Sequence, residues 1–106
     1  MHYANGRAAQ AGDVVRGKGY NIKHEITGLL VYANPGNSAC NCQVATVTAN
    51  LNVENSTSDN GEVFLKPKYS SALGFLASNG WATIEYGQLD AFVALDPATG
   101  EILPPE

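Results

Sequence analysis

The run HEITGLLVYAN, residues 24–34, is the feature that most restricts the fold of this chain. It is rich in Ile, Leu, Val and Tyr, the residue types that are enriched in strands. The stretch NPGN, residues 34–37, follows directly and contains the residue types that reverse a chain. Gly28 within the run indicates a bulge or a point where another backbone approaches closely. We therefore predict a long strand followed by a tight reversal.

Other short apolar runs, separated by turn residues, extend this pattern along the chain. Pro67 favours an edge position for its strand, because proline cannot donate a hydrogen bond to a ladder. Gly87 indicates a break between two short strands, or a bend in one strand, within residues 81–96. The remaining predicted strands are Val14–Val15 with a bend at Gly17 and Gly19, residues 40–47, and residues 62–69.

Two segments differ from the strands in composition. Residues 54–61 are polar throughout, which predicts a long exposed loop or the tip of an extended hairpin. The pair Ser70-Ser71 can cap a short helix at about residues 70–79, and Trp81 is expected to anchor that helix against the sheet. The 106 residues fit a single domain, residues 1–106, that is mainly β.

The chain has only two cysteines, Cys40 and Cys42, which lie one residue apart on a predicted strand. Alternation puts both beside Val44 on one face, and that face is the more apolar one. A disulfide is disfavoured, because residues i and i+2 of a strand lie about 6.5 to 7 Å apart at Cα. Zinc takes about four ligands, and His2 and His24 are the only histidines, so we expect no metal and no cofactor. We interpret both cysteines as small buried side chains of the core.

The first part of the chain contains three short motifs in order: GDVV at residues 12–15, ITGLLV at 26–31 and QVATV at 43–47. This order resembles the small barrel of KOW and Src-homology-three (SH3) domains. The opening YANGRAAQAGDVV and the Cys-x-Cys-Gln-Val hairpin are also similar to short uncharacterised proteins from phages and other mobile elements. The resemblance covers about residues 3–47 and implies a small, SH3-like barrel. With the helix predicted at about residues 70–79, we expect the whole chain to form a small, partly open barrel into which one short helix is inserted. The core expected for it contains Val14, Ile26, Leu30, Cys40, Cys42, Val44, Phe64, Leu73, Leu76, Trp81, Ile84 and Phe92.

The net charge of −4 is unevenly placed along the chain. Residues 1–43 hold four basic residues against two acidic ones, whereas residues 44–106 hold two basic residues against eight acidic ones. Binders of duplex DNA usually show a basic face, and only the first part of this chain can supply one. No apolar stretch is long enough for a membrane span, and the first residues lack the apolar segment of a secretory signal. We therefore expect a cytoplasmic protein that does not bind a membrane.

The basic residues of the first part cluster in sequence around the glycine-rich stretch GKGYNIK, residues 17–23. They could bind an anion or a nucleic acid, with an aromatic ring stacked on a base. The alternative, an ordinary solvated loop, is favoured because four basic charges with two acids among them make a weak field. The candidate binding residues are Arg7, Arg16, Lys18, Tyr20 and Lys23.

Catalysis has one candidate arrangement in this sequence. Cys40 or Cys42 could act as a nucleophile with His24, since the strands that carry them are expected to pair as a hairpin. No recognisable catalytic motif accompanies these residues, so the sequence favours a protein that is not an enzyme.

The sequence therefore favours a non-enzymatic protein-interaction module, an accessory protein of a phage or mobile element that binds a protein partner. The scattered acids of residues 44–106 could meet a basic surface, or could serve only to keep the protein soluble. Exposed strand edges could also pair two copies of the chain. The alternatives are a nucleic-acid-binding small barrel that uses residues 7–23 and a thiol enzyme that uses Cys40 or Cys42 with His24.

Overall fold

The computed structural model describes residues 1–20, 23–36, 40–47, 53–67 and 82–105. Within these ranges the fold is mainly β, as predicted, and its strands form one open sheet. A 3-10 helix, Leu89–Ala91, precedes the last strand, and no helix in the described ranges has the length and apolarity needed to cross a membrane. The strands are β1 Val14–Gly17, β2 Ile26–Ala33, β3 Cys42–Val47, β4 Val53–Thr57, β5 Val63–Pro67, β6 Ala82–Gly87 and β7 Phe92–Leu95.

Strand β2 organises the sheet, because it pairs with three other strands. One edge of β2 pairs with β3, from Leu29 opposite Ala45 to Ala33 opposite Cys42. The other edge pairs with β1 over its first half and with β5 over its second half. Since β3 continues to β6 and β1 continues to β7, five antiparallel strands lie in the order β6-β3-β2-β1-β7. The β4–β5 hairpin joins this ladder beside the second half of β2.

Two irregularities lie in β2, and the sequence indicates one of them. A Cβ added at Gly28 would lie 2.5 Å from the carbonyl oxygen of Ala45, so Gly28 is a point of close backbone approach. The register with β3 shifts between Leu30 and Tyr32, which marks a bulge. The predicted close approach at Gly28 is therefore confirmed, and the bulge lies further along the strand, around the buried Val31.

The core contains several of the residues that the sequence pattern selects. Leu30, Cys42, Val44 and Phe92 are each at most 1% exposed, as predicted. The prediction that Cys40 belongs to the core is wrong, because Cys40 is only half-buried. Strand β3 begins at Cys42, so the alternation counted from residue 40 does not extend to that residue.

The remaining predicted core residues lie at the margin of the core or beyond the described ranges. Ile26 and Ile84 are partly buried and pack against the core, and Val14 and Phe64 are half-buried. Leu73, Leu76 and Trp81, together with the helix expected at residues 70–79, lie outside the described residues.

An N-terminal segment that the sequence pattern does not select also packs on the core. Tyr3 is 3% exposed, and its hydroxyl donates a 2.5 Å hydrogen bond to Asp13 Oδ2. The backbone amide of Gln10 donates to the same carboxylate oxygen at 3.0 Å. The backbone amide of Ala4 donates to the carbonyl of Phe92 at 3.0 Å, so the segment is bonded to β7 as well as to the start of β1.

The polar stretch at residues 54–61 forms part of a hairpin and not a long loop. Strand β4 runs to Thr57, and the turn after it is closed by the Ser58 amide, which donates to the Glu62 carbonyl at 2.9 Å. Gly61 takes a φ of +86°, a conformation that glycine adopts without steric cost. Of the two alternatives that the sequence left open, the long loop is wrong and the hairpin tip is confirmed, at residues 58–62.

Candidate functional site

The two arginines of the predicted basic patch contact different parts of the chain. Arg7 Nη1 donates a 2.7 Å hydrogen bond to the Pro104 carbonyl oxygen. Arg16 lies on β1, and its Nε is 3.4 Å from Glu25 Oε2. An ion pair of this kind reduces the local positive field, so Arg16 contributes little to a basic surface.

The other three residues of the predicted patch are exposed. Lys18 and Lys23 lie in the segment between β1 and β2, and Tyr20 is 67% exposed. Lys18 and Tyr20 line the same pocket, and Lys23 is not among its described lining residues. The five candidates are therefore distributed among four settings: Arg7 beside Pro104, Arg16 beside Glu25, Lys18 and Tyr20 at this pocket, and Lys23 outside its lining.

This pocket, which we name the loop pocket, has a volume of about 130 Å³. One wall is formed by residues 18–20, which follow β1. Cys40, which precedes β3, forms a second wall. The third wall comes from the end of β6 and the 3-10 helix, with Gly87, Gln88 and Ala91.

Hydrogen bonds donated by backbone amides hold the walls of the loop pocket in place. The Tyr20 amide donates to the Tyr86 carbonyl at 2.6 Å, which ties the segment after β1 to the end of β6. The Leu89 amide donates to Asn41 Oδ1 at 2.7 Å, which ties the 3-10 helix to the residue beside Cys40. A Cβ at Gly87 would lie 3.2 Å from the Cα of Gly19, so glycine permits the two walls to meet.

The two cysteines occupy different environments. Cys42 is fully buried, and burial raises its pKa to about 12, with smaller contributions from Cys40 and Asp90. Because the thiolate is the reactive form, Cys42 is a poor nucleophile at neutral pH. Cys40 is half-buried and lines the loop pocket.

The side chains around the loop pocket determine what it can hold. Lys18 is the one charged side chain among the described residues that line it, and the Tyr20 ring lies at the surface. The other wall residues are small or neutral. His24 is exposed and is not among these lining residues, so the loop pocket does not combine a cysteine with that histidine. Within the described ranges, no group of three or more His, Cys, Asp or Glu residues could hold a metal ion.

Sequence reasoning singled out residues from each wall of the loop pocket but did not predict that the walls meet. The glycine-rich stretch at residues 17–23 indicates the first wall, and the break at Gly87 indicates where the third wall begins. Nothing in the sequence of Gln88 or Ala91 indicates that the two segments meet, since their proximity depends on the pairing of β1 with β7. Comparison of this chain with protein-family models, with curated proteins and with solved structures found no match.

Proposed function

We propose that this protein is a non-enzymatic protein-interaction module that holds one side chain of a partner polypeptide in the loop pocket. The observation that carries the proposal is an exposed tyrosine beside a pocket of side-chain size. Tyrosine is enriched among the residues that dominate binding energy at protein interfaces. Tyr20, at 67% exposed, has most of its ring available to a partner.

The volume of the loop pocket favours a side chain over a whole small molecule. Pockets for drug-sized ligands and cofactors usually enclose about 300–1,000 Å³. The loop pocket, at about 130 Å³, is smaller than that range. A cavity of about 150 Å³ accommodates benzene, which is comparable to a large apolar side chain.

We further propose that the sheet is an SH3-like, partly open barrel. The strand order β6-β3-β2-β1-β7 and the 3-10 helix immediately before β7 support this proposal. The resemblance of residues 3–47 supports in addition a cytoplasmic accessory protein of a phage or mobile element. On this proposal the loop pocket lies between the segment after β1 and the 3-10 helix, which are connections and not strands, where binding residues are often found.

The structure favours the alternative functions less. A nucleic-acid surface on residues 7–23 would need the five candidate residues on one face, and Arg16 is paired with Glu25. A thiol enzyme would use Cys40 or Cys42 with His24. Burial raises the pKa of Cys42 to about 12, and His24 is not among the described residues that line the loop pocket beside Cys40. The nucleic-acid alternative makes predictions that the following experiment separates from the proposal.

The test is capture of proteins from a bacterial lysate with three immobilised forms of this protein: wild type, Tyr20→Ala and Ile102→Ala. Ile102 is 50% exposed and does not line the loop pocket, so its substitution is a matched loss of exposed apolar surface. We expect a protein that wild type and Ile102→Ala retain, that Tyr20→Ala loses, and that nuclease treatment does not release.

Two outcomes of this capture would contradict the proposal. Equal retention by all three forms would mean that the loop pocket is not the site of contact. Release by nuclease, together with a steep loss of capture as salt increases, would instead favour nucleic-acid binding through the exposed lysines and tyrosines.

A further inference from the structure

We infer that the loop pocket selects an acidic segment: an apolar side chain enters the pocket while an adjacent carboxylate of the partner meets Lys18. This inference rests on the proposed function and specifies the chemistry of the partner. It uses the charges around the loop pocket, which the proposed function does not require.

The positive charge at the loop pocket comes from Lys18. Its side chain is exposed, and no acidic residue is among the described residues that line the loop pocket. The nearest basic residue along β1, Arg16, pairs with Glu25 at 3.4 Å. Lys18 is therefore the cation that a partner meets at the wall formed by residues 18–20.

An acidic residue adjoins the third wall in the chain without lining the loop pocket. Asp90 is exposed within the 3-10 helix and lies next to Ala91, which lines the loop pocket. A partner carboxylate is attracted toward Lys18 and repelled by Asp90, and a partner ammonium experiences the reverse. This polarity orients the partner, with its acidic residue over the segment after β1 and away from the 3-10 helix.

The expected effect of this charge on affinity is modest. Exposed ion pairs contribute little because solvent screens them, and their loss typically changes an equilibrium by about fivefold or less. Reversal of the charge at Lys18 both removes the attraction and adds a repulsion, so a change of about tenfold in preference is expected. The preference should weaken as ionic strength increases.

The test is selection from a displayed library of random peptides against four forms of the protein. These forms are wild type, Lys18→Glu, Lys23→Glu and Tyr20→Ala. Lys23 is exposed in the same segment but does not line the loop pocket, so Lys23→Glu makes the same change in net charge elsewhere. We expect Asp and Glu to be enriched beside an apolar residue in peptides selected by wild type and by Lys23→Glu. We expect Lys and Arg to replace them in peptides selected by Lys18→Glu, and Tyr20→Ala to select little.

The outcomes separate this inference from the proposed function. Peptides that depend on Tyr20 but show no acidic preference would overturn the inference and support the proposed function. An acidic preference that both Lys→Glu variants abolish equally would also overturn the inference, because it would reflect net charge and not the loop pocket. A failure of wild type to select any peptide that depends on Tyr20 would overturn both.

Discussion

The backbone amide of Tyr20 donates a 2.6 Å hydrogen bond to the carbonyl of Tyr86, while the side chains of both residues lie exposed, at 67% and 52%. The segment after β1 is thus fixed to β6 through backbone atoms. Its tyrosine ring is left at the surface. Substitution of the ring should therefore change binding without changing how this segment is held.

Hydrogen exchange can check this relationship directly. We expect the Tyr20 amide to exchange slowly although it lies between strands, because its hydrogen is bonded to the Tyr86 carbonyl. Tyr20→Ala should retain that protection and should change the free energy of unfolding by no more than about 0.5 kcal/mol, as is usual at exposed positions. Exchange of this amide at the rate of an unstructured peptide would contradict the hydrogen bond between Tyr20 and Tyr86.

Gly17 and Gly28 should tolerate no larger residue. A Cβ at Gly17 would lie 2.2 Å from the Ala91 carbonyl oxygen, and one at Gly28 would lie 2.5 Å from the Ala45 carbonyl oxygen. Since backbone atoms cannot rotate away, Gly17→Ala and Gly28→Ala should each lower the free energy of unfolding by about 3 kcal/mol or more, at the upper end of what overpacking costs. Urea denaturation measures this change in the free energy of unfolding. The slope of that free energy against urea concentration should be the same in wild type and variant if both unfold in two states.

Gly6 supplies the control for these substitutions. It has a φ of +89° but no atom within 4 Å of an added Cβ, so Gly6→Ala tests backbone strain without a clash. We expect a loss of about 1–2 kcal/mol, the usual cost of a left-handed conformation for a residue with a side chain. If Gly28→Ala unfolded no more easily than Gly6→Ala, the close approach of β2 and β3 would be disproved.

The two cysteines should react differently with a thiol reagent. At mildly alkaline pH, Cys40 should be modified in the folded protein, and Cys42 should be modified only after denaturation. The reasons are that Cys42 is fully buried and that burial raises its pKa to about 12. Mass spectrometry of the labelled protein counts the modified sites, and Cys40→Ser should give no label under native conditions. A first label on Cys42 would contradict the structure.

The raised pKa of Cys42 also predicts a loss of stability at alkaline pH. The thiol of an unfolded chain has a pKa near 9.0, whereas in the folded protein it is about 12. The contribution of the protonated Cys42 thiol to the free energy of unfolding is complete below pH 9. It is lost as pH rises from 9 toward 12, because the unfolded chain then releases a proton that the folded chain retains. The free energy of unfolding should fall by up to about 1.4 kcal/mol per pH unit in that window.

Cys42→Ala is the comparison for this pH dependence. The variant should be less stable than wild type at neutral pH, because it leaves a small cavity. Its stability should nevertheless fall less steeply above pH 9. Tyr3 stays in both proteins, and burial and the Asp13 hydrogen bond raise its pKa too, so a residual alkaline slope is expected in the variant. If the free energy of unfolding fell equally steeply above pH 9 in the two proteins, Cys42 would not be a source of this pH dependence.

The hydrogen bond from Tyr3 to Asp13 should couple the N-terminal segment to β1. A hydrogen bond to a charged group contributes about 1.5–3 kcal/mol, and this one is 2.5 Å long and partly buried. We expect Tyr3→Phe and Asp13→Asn each to destabilise the protein, and the double variant to lose less than the sum of the two. Tyr86→Phe, a change at an exposed tyrosine, is the control and should not change the free energy of unfolding measurably. If the losses of Tyr3→Phe and Asp13→Asn were additive in the double variant, the hydrogen bond between the two residues would be contradicted.

The fold was predictable from sequence where a strand has a strong apolar pattern. The run around Leu30 and the break at Gly87 give such signals, and both appear in the structure. The environment of Cys40 was not predictable, because alternation holds only within a strand and the start of β3 at Cys42 depends on its partners. Tyr3 was missed because a single tyrosine in a polar segment has no periodicity.

The candidate site was harder to predict than the fold. Its walls are separated by about 70 residues of sequence, and they meet because β1 pairs with β7 and the Tyr20 amide bonds to the end of β6. Sequence reasoning grouped Arg7 and Arg16 with Lys18 because they are near in the chain. Pairing across the sheet instead gives Lys18 the neighbours Gln88 and Ala91.

The pairing of β1 with β7 also determines when the sheet can be completed during synthesis of the chain. Val14 lies opposite Leu95, so this edge of β1 stays uncovered until β7 has been synthesised. Until then, β1 can pair with β2, but its other edge presents unpaired backbone groups to neighbouring chains. The loop pocket completes at the same late stage, because its third wall precedes β7 directly. A nascent chain is therefore both exposed at β1 and unable to bind through the loop pocket until synthesis has passed residue 95.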